Sequence, residues 1–288
     1  MAYSIMKILP DFISLFIRSI ACLRYIPNVN NPKTFNEKIQ YRKRHGDHEL
    51  FSLCSDKFEV KQYVEDIIGK ECVIENYFSG DKISFDELKS IIKTHGSVVA
   101  KLNHDSGSVY LIDESTPDFS LMLFIEELNK SIHNDYGKKS GEPWYSNIKG
   151  KILVEKQLQK NSKGEIPDYK FHVFTDAEKQ NVILHVDFDR YSNHNRSWFD
   201  EDLNYLPFAM GYPNIRTDIK VPDNYNKMVE IAKKLAKPFS YARIDLYNVD
   251  GKIYFGEITF AHGSGFERFT TKYHDKWMGG FWKGDLKK

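Results

Sequence analysis

The stretch YARIDLYNVDGKIYFGEITF, residues 241–260, constrains this chain more than any other. Two runs of alternating residues flank Asn248-Val249-Asp250-Gly251, and this pattern predicts a β-hairpin whose strands are at least half buried. Each strand carries polar residues on one face, and the two faces hold Arg243, Asp245 and Tyr247 on the first strand and Phe255, Glu257 and Thr259 on the second.

Two carboxylates inside such a hairpin need compensation, because an unpaired buried charge costs several kcal/mol. Arg243 alone cannot offset both Asp245 and Glu257. A divalent cation could, since paired strands bring side chains to roughly 5 Å from each other. The alternative is a salt-bridge network of these three residues without a metal.

Composition excludes several classes of function. The chain has 288 residues, 41% hydrophobic and 14% aromatic, which indicates a globular protein with a core. A net charge of +1 provides no general attraction for nucleic acid, so we expect no such partner. Three scattered cysteines, Cys22, Cys54 and Cys72, match no zinc pattern and favour a cytoplasmic location.

The order of elements predicts an α+β fold with mostly antiparallel strands. Thr34 and Glu37 form a capping box that begins a helix ending near Arg44. Further helices are predicted at 56–69, 84–94, 119–132 and 223–237, and strands at 97–102, 109–112, 151–158, 168–175 and 181–189.

The segment 11–26, DFISLFIRSIACLRYI, is nearly all apolar. It is too short and too charged to cross a bilayer comfortably, and it lacks the cleavage site of a signal peptide. It either packs on the core of the domain as a helix or docks on a membrane surface or a partner. We therefore expect a cytoplasmic protein that can sit at the inner face of the membrane.

A loop of small residues, 103–108, follows Lys101 at the end of a predicted strand. Its backbone N–H groups can hold phosphates while the lysine supplies positive charge. A surface hairpin with a solvated lysine explains the same residues. Asp56-Lys57 lies at a predicted helix start, where Asp56 also serves as an ordinary cap.

In combination these motifs resemble the ATP-grasp superfamily, and within it the TupA-like branch linked to teichuronopeptide and surface-polysaccharide synthesis. The resemblance extends over about residues 31–270 and depends on the strings PKTFNEKIQYRK, DYKFHVF, DFDRYSNHNR, LPFAMGYPN and RIDLYNVDGKIYFGEITFAHGSGFE. It implies two α+β lobes with antiparallel sheets that enclose ATP. We expect an N-terminal helical segment over 1–54, a first lobe over 55–150 and a second lobe over 151–288.

The resemblance also implies a nucleotide site. Lys57 and Lys101 match the two lysines that contact ATP phosphates, and Asp168 matches an acid that meets the ribose. The loop over the phosphates would comprise Ser106, Gly107 and Ser108, and the hinge that reads adenine would comprise Glu155, Lys156 and Leu158.

The same resemblance assigns roles to the hairpin. Arg243 matches a phosphate-contacting catalytic arginine, and Asp245 and Glu257 match magnesium ligands. The third ligand of the superfamily is usually an asparagine, and here Thr259 occupies that position. A hydroxyl binds magnesium more weakly than an amide oxygen, so this ligand position is expected to be loose or filled by water.

The acceptor is expected to bind at 185–196, HVDFDRYSNHNR. Planar donors suit a carboxylate or sugar hydroxyls, and a solvated loop is the alternative. Arg190 and His194 are predicted as catalytic, with His194 either a general base or only a hydrogen-bonding group. The predicted substrate contacts are Asp189, Asn193 and Arg196, together with Ser264 in a glycine-rich turn.

The function implied is a carboxylate–amine ligase that uses ATP and Mg²⁺. Its substrates would be a sugar acid or glycan carboxylate and an amino acid or other amine. Two alternatives remain open: a glycan kinase, and a non-catalytic domain that binds nucleotide or glycan. Trp144 and Tyr145 are expected in the core, with stacking on a sugar as the alternative.

Overall fold

The computed structural model of the protein describes residues 11–46, 48–160, 166, 168–177, 179–188, 194–216 and 221–285. Two antiparallel sheets organise these residues. The first has the order β1-β4-β2-β3, and its strands are β1 (Asn76–Gly80), β2 (Val98–Leu102), β3 (Val109–Ile112) and β4 (Ile152–Lys156). The predicted α+β class with antiparallel sheets is confirmed.

The second sheet has the order β7-β6-β5-β8-β9. Its strands are β5 (Asp168–Asp176), β6 (Lys179–Phe188), β7 (Asn195–Asp200), β8 (Tyr241–Val249) and β9 (Lys252–Thr259). The predicted hairpin is β8–β9, closed by a two-residue turn in which Asp250 and Gly251 both have positive φ. An Asp-Gly pair suits this turn because its backbone twist matches the twist of the strands.

The helices of the described residues surround these sheets. The predicted capping box is present, since Thr34 Oγ1 accepts the N–H of Glu37 at 3.1 Å and Glu37 accepts that of Thr34 at 3.0 Å. The helices are α1 (Asp11–Leu23), α2 (Phe35–His45), α3 (His48–Ser55), α4 (Val60–Ile68), α5 (Phe85–His95), α6 (Asp118–Ser131), α7 (Tyr136–Ser140), α8 (Tyr225–Ala236) and α9 (Lys272–Phe281).

Each sheet has its own hydrophobic core. Leu88 on α5 and Leu121 on α6 pack against the first sheet, beside Val98 and Val154. The larger core belongs to the second sheet and also takes in Phe35 of α2, Phe51 of α3 and the fully buried Trp144. Trp144 is therefore a core residue, and its ring is not open to a sugar.

The packing refines the predicted lobes. Strand β4 pairs with β1 and β2, so the chain leaves the first sheet after Lys156 rather than at residue 151. Phe35, Ile39 and Phe51 lie in the core of the second sheet. The N-terminal region from α2 onward is thus built onto the second lobe, where Phe35 packs against Phe174 of β5 and Tyr241 of β8.

Helix α1 packs on the body of the protein along one side. Ser19 and Leu23 are buried, and the guanidinium of Arg18 lies 4.1 Å from the ring centre of Phe266. Among the described helices, none has both the length and the apolar character that crossing a bilayer requires.

Candidate active site

The hairpin brings the residues predicted for the metal site into one hydrogen-bonded group. Asp245 on β8 lies opposite Glu257 on β9. Arg243 contacts both carboxylates, with Nε 2.7 Å from Asp245 Oδ1 and Nη2 2.5 Å from Glu257 Oε1. Thr259, opposite Arg243 in the register, donates its hydroxyl to Glu257 Oε1 at 3.3 Å.

The two carboxylates differ in exposure. The side chain of Asp245 is 3% exposed, whereas that of Glu257 is 45% exposed. Lys170 Nζ adds a second cation 2.7 Å from Asp245 Oδ2. Burial alone would raise the pKa of Asp245, but the charges of Arg243 and Lys170 hold it well below its usual value. Asp245 is therefore ionised at neutral pH, and Glu257 is the carboxylate open to an added ion.

His262 holds Arg243 in place from behind the hairpin. Arg243 Nη1 lies 2.7 Å from His262 Nδ1, and His262 Nε2 lies 3.0 Å from Glu267 Oε2. A guanidinium can only donate, so Nδ1 carries the lone pair and Nε2 carries the proton. Burial lowers the pKa of His262, although Glu267 opposes this, which keeps the ring neutral.

Two partly buried lysines and a buried glutamate form a charged cluster beside the first sheet. Lys101 Nζ lies 2.5 Å from Glu155 Oε2, and Lys61 Nζ lies 2.7 Å from Glu155 Oε1. Burial would raise the pKa of Glu155, but the two lysines lower it below the usual value. The predicted phosphate lysine Lys101 is therefore fixed by a carboxylate of the neighbouring strand, β4.

Lys57 lies where the two lobes meet. Its ammonium donates to the backbone carbonyl of Asp105, in the loop between β2 and β3. Burial lowers the pKa of Lys57, Glu257 raises it, and Lys101 lowers it further. Lys57 therefore lies close enough to the β8–β9 hairpin for Glu257 to influence its pKa.

These groups fit a magnesium triphosphate by their chemistry. Lys57, Lys101 and Arg243 supply positive charge, and Asp245 and Glu257 supply hard oxygen ligands. Within the described residues, no group of three His, Cys, Asp or Glu side chains could hold a metal by itself. A magnesium ion here would need phosphate oxygens and water to complete its shell, which is how this ion binds in nucleotide sites.

The predicted phosphate loop lies beside the cluster. Ser108 Oγ donates to Asp105 Oδ2 at 2.5 Å, and Gly107 has a φ of +123° with open space where a Cβ would be. The absent Cβ at Gly107 lets the backbone of the loop approach a ligand closely.

The predicted hinge lies between the two sheets. Lys156 ends β4 with an exposed side chain, and Leu158 follows as a buried residue. Asp168 begins β5, where it accepts from Lys170, the lysine that also contacts Asp245. The predicted ribose and metal acids are thus bridged by one ammonium group.

Comparison with known proteins decides the family. A model of the TupA-like ATP-grasp family matches residues 37–283. The chain belongs to the TupA-like ATP-grasp family. The predicted membership is thereby confirmed, and with it the ATP-grasp fold. No curated protein matched this TupA-like chain.

Several solved structures show a distant likeness to the TupA-like chain. D-alanine–D-alanine ligase from Helicobacter pylori is 13% identical over 72% of this chain and 54% of its own, with a TM-score of 0.44. D-alanyl-alanine synthetase A from Vibrio cholerae is 11% identical over 74% and 57%, with a TM-score of 0.45. The ADP complex of N5-carboxyaminoimidazole ribonucleotide synthetase is 13% identical over 78% and 50%, with a TM-score of 0.44. The TupA-like chain spans about half the length of these proteins.

The predicted acceptor segment is described only in part. Asp189, Arg190 and Asn193 lie outside the described residues. His194 stacks on Tyr212, with 3.6 Å between ring centres, and its Nε2 lies 3.1 Å from Asp187 Oδ1. The roles predicted for this segment of the TupA-like chain stay predictions.

Arg196 is buried and bound to the protein. Its Nε lies 2.7 Å from Asp187 Oδ1, and its Nη1 lies 2.8 Å from Glu267 Oε2 and 3.1 Å from the carbonyl of Met210. Glu267 also receives the proton of His262, so Arg196 and Arg243 are linked through two residues. The geometry favours a positioning role for Arg196 over direct capture of a carboxylate.

Ser264 belongs to a polar group that the sequence did not reveal. Its hydroxyl accepts from Lys43 Nζ at 2.8 Å and donates to the carbonyl of Ser140 at 3.1 Å. Glu142 lies in the same group, where burial raises its pKa to about 7 although Lys43 opposes the shift. Helix α2 and the segment after α7 therefore form one wall beside the predicted metal site.

Proposed function

We propose that this TupA-like protein is an ADP-forming carboxylate–amine ligase. The observation that carries the proposal is a group of cations and carboxylates where the two sheets meet. Lys57 and Lys101 lie there together with the Arg243–Asp245–Glu257 group of the β8–β9 hairpin. Such a set neutralises and aligns a triphosphate without a protein nucleophile.

The reaction has two steps. A substrate carboxylate oxygen attacks the γ-phosphorus of ATP, the bond from that phosphorus to the bridging oxygen breaks, and ADP leaves. The amine nitrogen then attacks the carbonyl carbon of the acyl phosphate, the C–O bond breaks, and inorganic phosphate leaves with the electron pair. The nitrogen loses one proton, and the product is an amide.

The residues of the chain divide this work. Lys57, Lys101 and Arg243 bind the phosphates and stabilise the charge that develops on them. Asp245 and Glu257 would hold magnesium, which neutralises phosphate charge when bound. His194 is the proposed acceptor of the amine proton. The Nε2 atom of His194 lies 3.1 Å from Asp187 Oδ1.

The proposed substrates are a uronic acid of a surface polysaccharide, or of its precursor, and an amino acid. Family membership supports this choice, since the TupA-like branch is linked to such polymers. Ser264 and the neighbouring Lys43 are proposed to line the acceptor side, together with Asp189, Arg190 and Asn193. A cytoplasmic location is proposed with it, because ATP and sugar precursors are found there.

The test is a release assay for ADP with a panel of uronic acids and amino acids, followed by trapping with hydroxylamine. An acyl phosphate yields a hydroxamate when the carboxylate substrate is present and the amine is omitted. Glu257→Gln serves as the inactive control. A stable phosphate ester in place of the hydroxamate would contradict the ligase and favour a glycan kinase. Absence of ADP release with every acceptor pair would favour a non-catalytic binding domain.

A further inference from the structure

Helix α1 has an apolar side that nothing in the described structure covers. Phe16, Ile17 and Ile20 are 44%, 42% and 43% exposed, and Ile26 shortly after the helix is 62% exposed. The adjoining side of α1 packs on the body through Ser19 and Leu23. The described residues therefore cover only part of the apolar surface of α1.

A cavity of about 220 Å³ lies at the C-terminal end of the same helix. Three cations line it, Arg24, Arg268 and Lys272, together with the hydroxyl-bearing Thr270 and Thr271. All five residues are exposed to solvent. The cavity is therefore open and basic, which suits an oxyanion such as phosphate.

The acid in this cavity does not neutralise its cations. Asp275 accepts from the hydroxyl of Tyr25 at 2.6 Å and from the side-chain amide of Asn36 at 2.9 Å. Within the described part of the chain, no carboxylate lies in ion-pair distance of Arg24, Arg268 or Lys272, although the ammonium of Lys272 lies 4.3 Å from the ring centre of Tyr25. The positive charge of the cavity is thus available to an external anion.

We propose that α1 and this cavity together form a docking surface for an anionic lipid bilayer. The exposed apolar side of α1 would enter the boundary between headgroups and acyl chains, and the cavity would take a headgroup phosphate. Interfacial helices bind through this combination of apolar area and attraction to anionic lipids. The chain runs directly from Ile20 through Leu23 to Arg24, so the two parts belong to one surface.

Charge favours a bilayer over a second copy of the chain. A twofold dimer through the apolar side of α1 would bring Arg24, Arg268 and Lys272 of both copies toward each other. Like charges would then oppose the contact, whereas a bilayer of anionic lipid complements them. The inference does not depend on the proposed ligase activity, since none of these residues belongs to the candidate active site.

The experiment is co-sedimentation of the full chain with two kinds of vesicle. One contains phosphatidylcholine alone, and the other also contains phosphatidylglycerol. We expect the wild type to pellet with the anionic vesicles and much less with the neutral ones. Phe16→Glu combined with Ile20→Glu should abolish pelleting. Replacing Arg24, Arg268 and Lys272 by glutamine should weaken it by about fivefold for each cation removed.

Matched control variants distinguish binding through this surface from nonspecific adsorption of the protein to vesicles. Phe119→Glu changes an apolar residue of α6 that is 69% exposed, and Lys93→Gln removes an exposed cation of α5. Both controls should pellet like the wild type, and all variants should keep the wild-type unfolding temperature. Three results would overturn the proposal: no pelleting of the wild type with anionic vesicles, undiminished pelleting of the α1 variant, or a wild-type dimer that the α1 variant converts to a monomer.

Discussion

Asp245 and Glu257 lie opposite each other on β8 and β9, yet Asp245 is buried against two cations while Glu257 is open to solvent. The pair is therefore asymmetric. Asp245 holds Arg243 and Lys170 in place, and Glu257 is the carboxylate that can turn toward an added ion. Replacing the carboxylate by an amide is therefore expected to change the stability of the protein differently at the two positions.

Asp245→Asn is expected to destabilise the protein, whereas Glu257→Gln is not. The first change removes the charge that pairs two buried cations, and breaking such a pair costs about 3–5 kcal/mol. The second removes a half-exposed partner of Arg243, worth about 1 kcal/mol at most. Urea unfolding measures both effects, and magnesium-dependent turnover should be lost in both variants. Equal stabilities would contradict the asymmetry.

His262 is predicted to position Arg243 for catalysis. His262→Phe keeps a ring in the core but removes the acceptor for Arg243 and the donor to Glu267. A hydrogen bond to a charged group contributes about 1.5–3 kcal/mol, so kcat should fall roughly tenfold to a hundredfold. His262→Asn, whose Oδ1 can replace Nδ1 as the acceptor, should retain more activity. Equal losses in the two variants would indicate a packing effect instead.

Lys101 and Lys61 provide a matched pair for the nucleotide site. Both contact Glu155, but only Lys101 is predicted to bind phosphate. Lys101→Met should raise the KM for ATP by about tenfold to a hundredfold, the effect of losing a charge-assisted bond. Lys61→Met should raise it far less, because it removes only a support for Glu155. Steady-state kinetics at saturating acceptor distinguish them, and equal effects would contradict the assignment.

Three buried histidines should make the fold sensitive to acid. Burial lowers the pKa of His172, His185 and His262, so the folded state keeps them neutral. As pH falls below about 6.5, the unfolded state takes up protons that the folded state does not. Each histidine then costs about 1.4 kcal/mol per pH unit until its folded pKa is reached. Urea unfolding measured from pH 7 down to pH 5 gives the slope of the free energy of unfolding against pH.

Two variants dissect this pH dependence. His172→Phe removes one of the three histidines and should lower the slope by about a third. Glu142 acts in the opposite sense, because burial raises its pKa from 4.5 to about 7. Between these two pH values the folded state holds a proton that the unfolded state has lost, so the stabilisation by Glu142 decreases as the pH rises. Glu142→Gln should therefore steepen the loss of stability toward acid. An unchanged slope in both variants would contradict the account of these groups.

Local patterns allowed much of the fold to be predicted. Alternation and the Asp-Gly turn predict the hairpin and its register beside the turn, where Val249 lies opposite Lys252. An irregularity between Asp245 and Leu246 shifts this register by one residue, and only that shift places Glu257 opposite Asp245. The capping box of Thr34 and Glu37 likewise acts within one helical turn. The sequence alone does not show that β4 pairs with β1 and β2, because that pairing depends on strands distant in sequence.

The site was less predictable where its contacts are distant in sequence. The charged Lys170 in the middle of the predicted strand DYKFHVF is unusual in sequence. Only the strand register, which places it opposite Asp245, shows that it forms an ion pair with that carboxylate. Lys43 of α2 and Ser264 meet across 221 residues. The sequence predicts Arg196 as a substrate contact, and only the fold shows that it binds Asp187 and Glu267.

The most direct test of the central claim is a thermal-shift titration with Mg-ATP, comparing the wild type with Glu257→Gln. Glu257 is the better choice for this comparison because its replacement should leave the unliganded fold intact. Bound ligand stabilises by RT ln(1 + [L]/Kd), so an occupied site raises the unfolding temperature. The account predicts a magnesium-dependent rise in the wild type that the variant lacks. The same rise in both proteins, or no rise in the wild type, would contradict the assignment of the nucleotide and metal site.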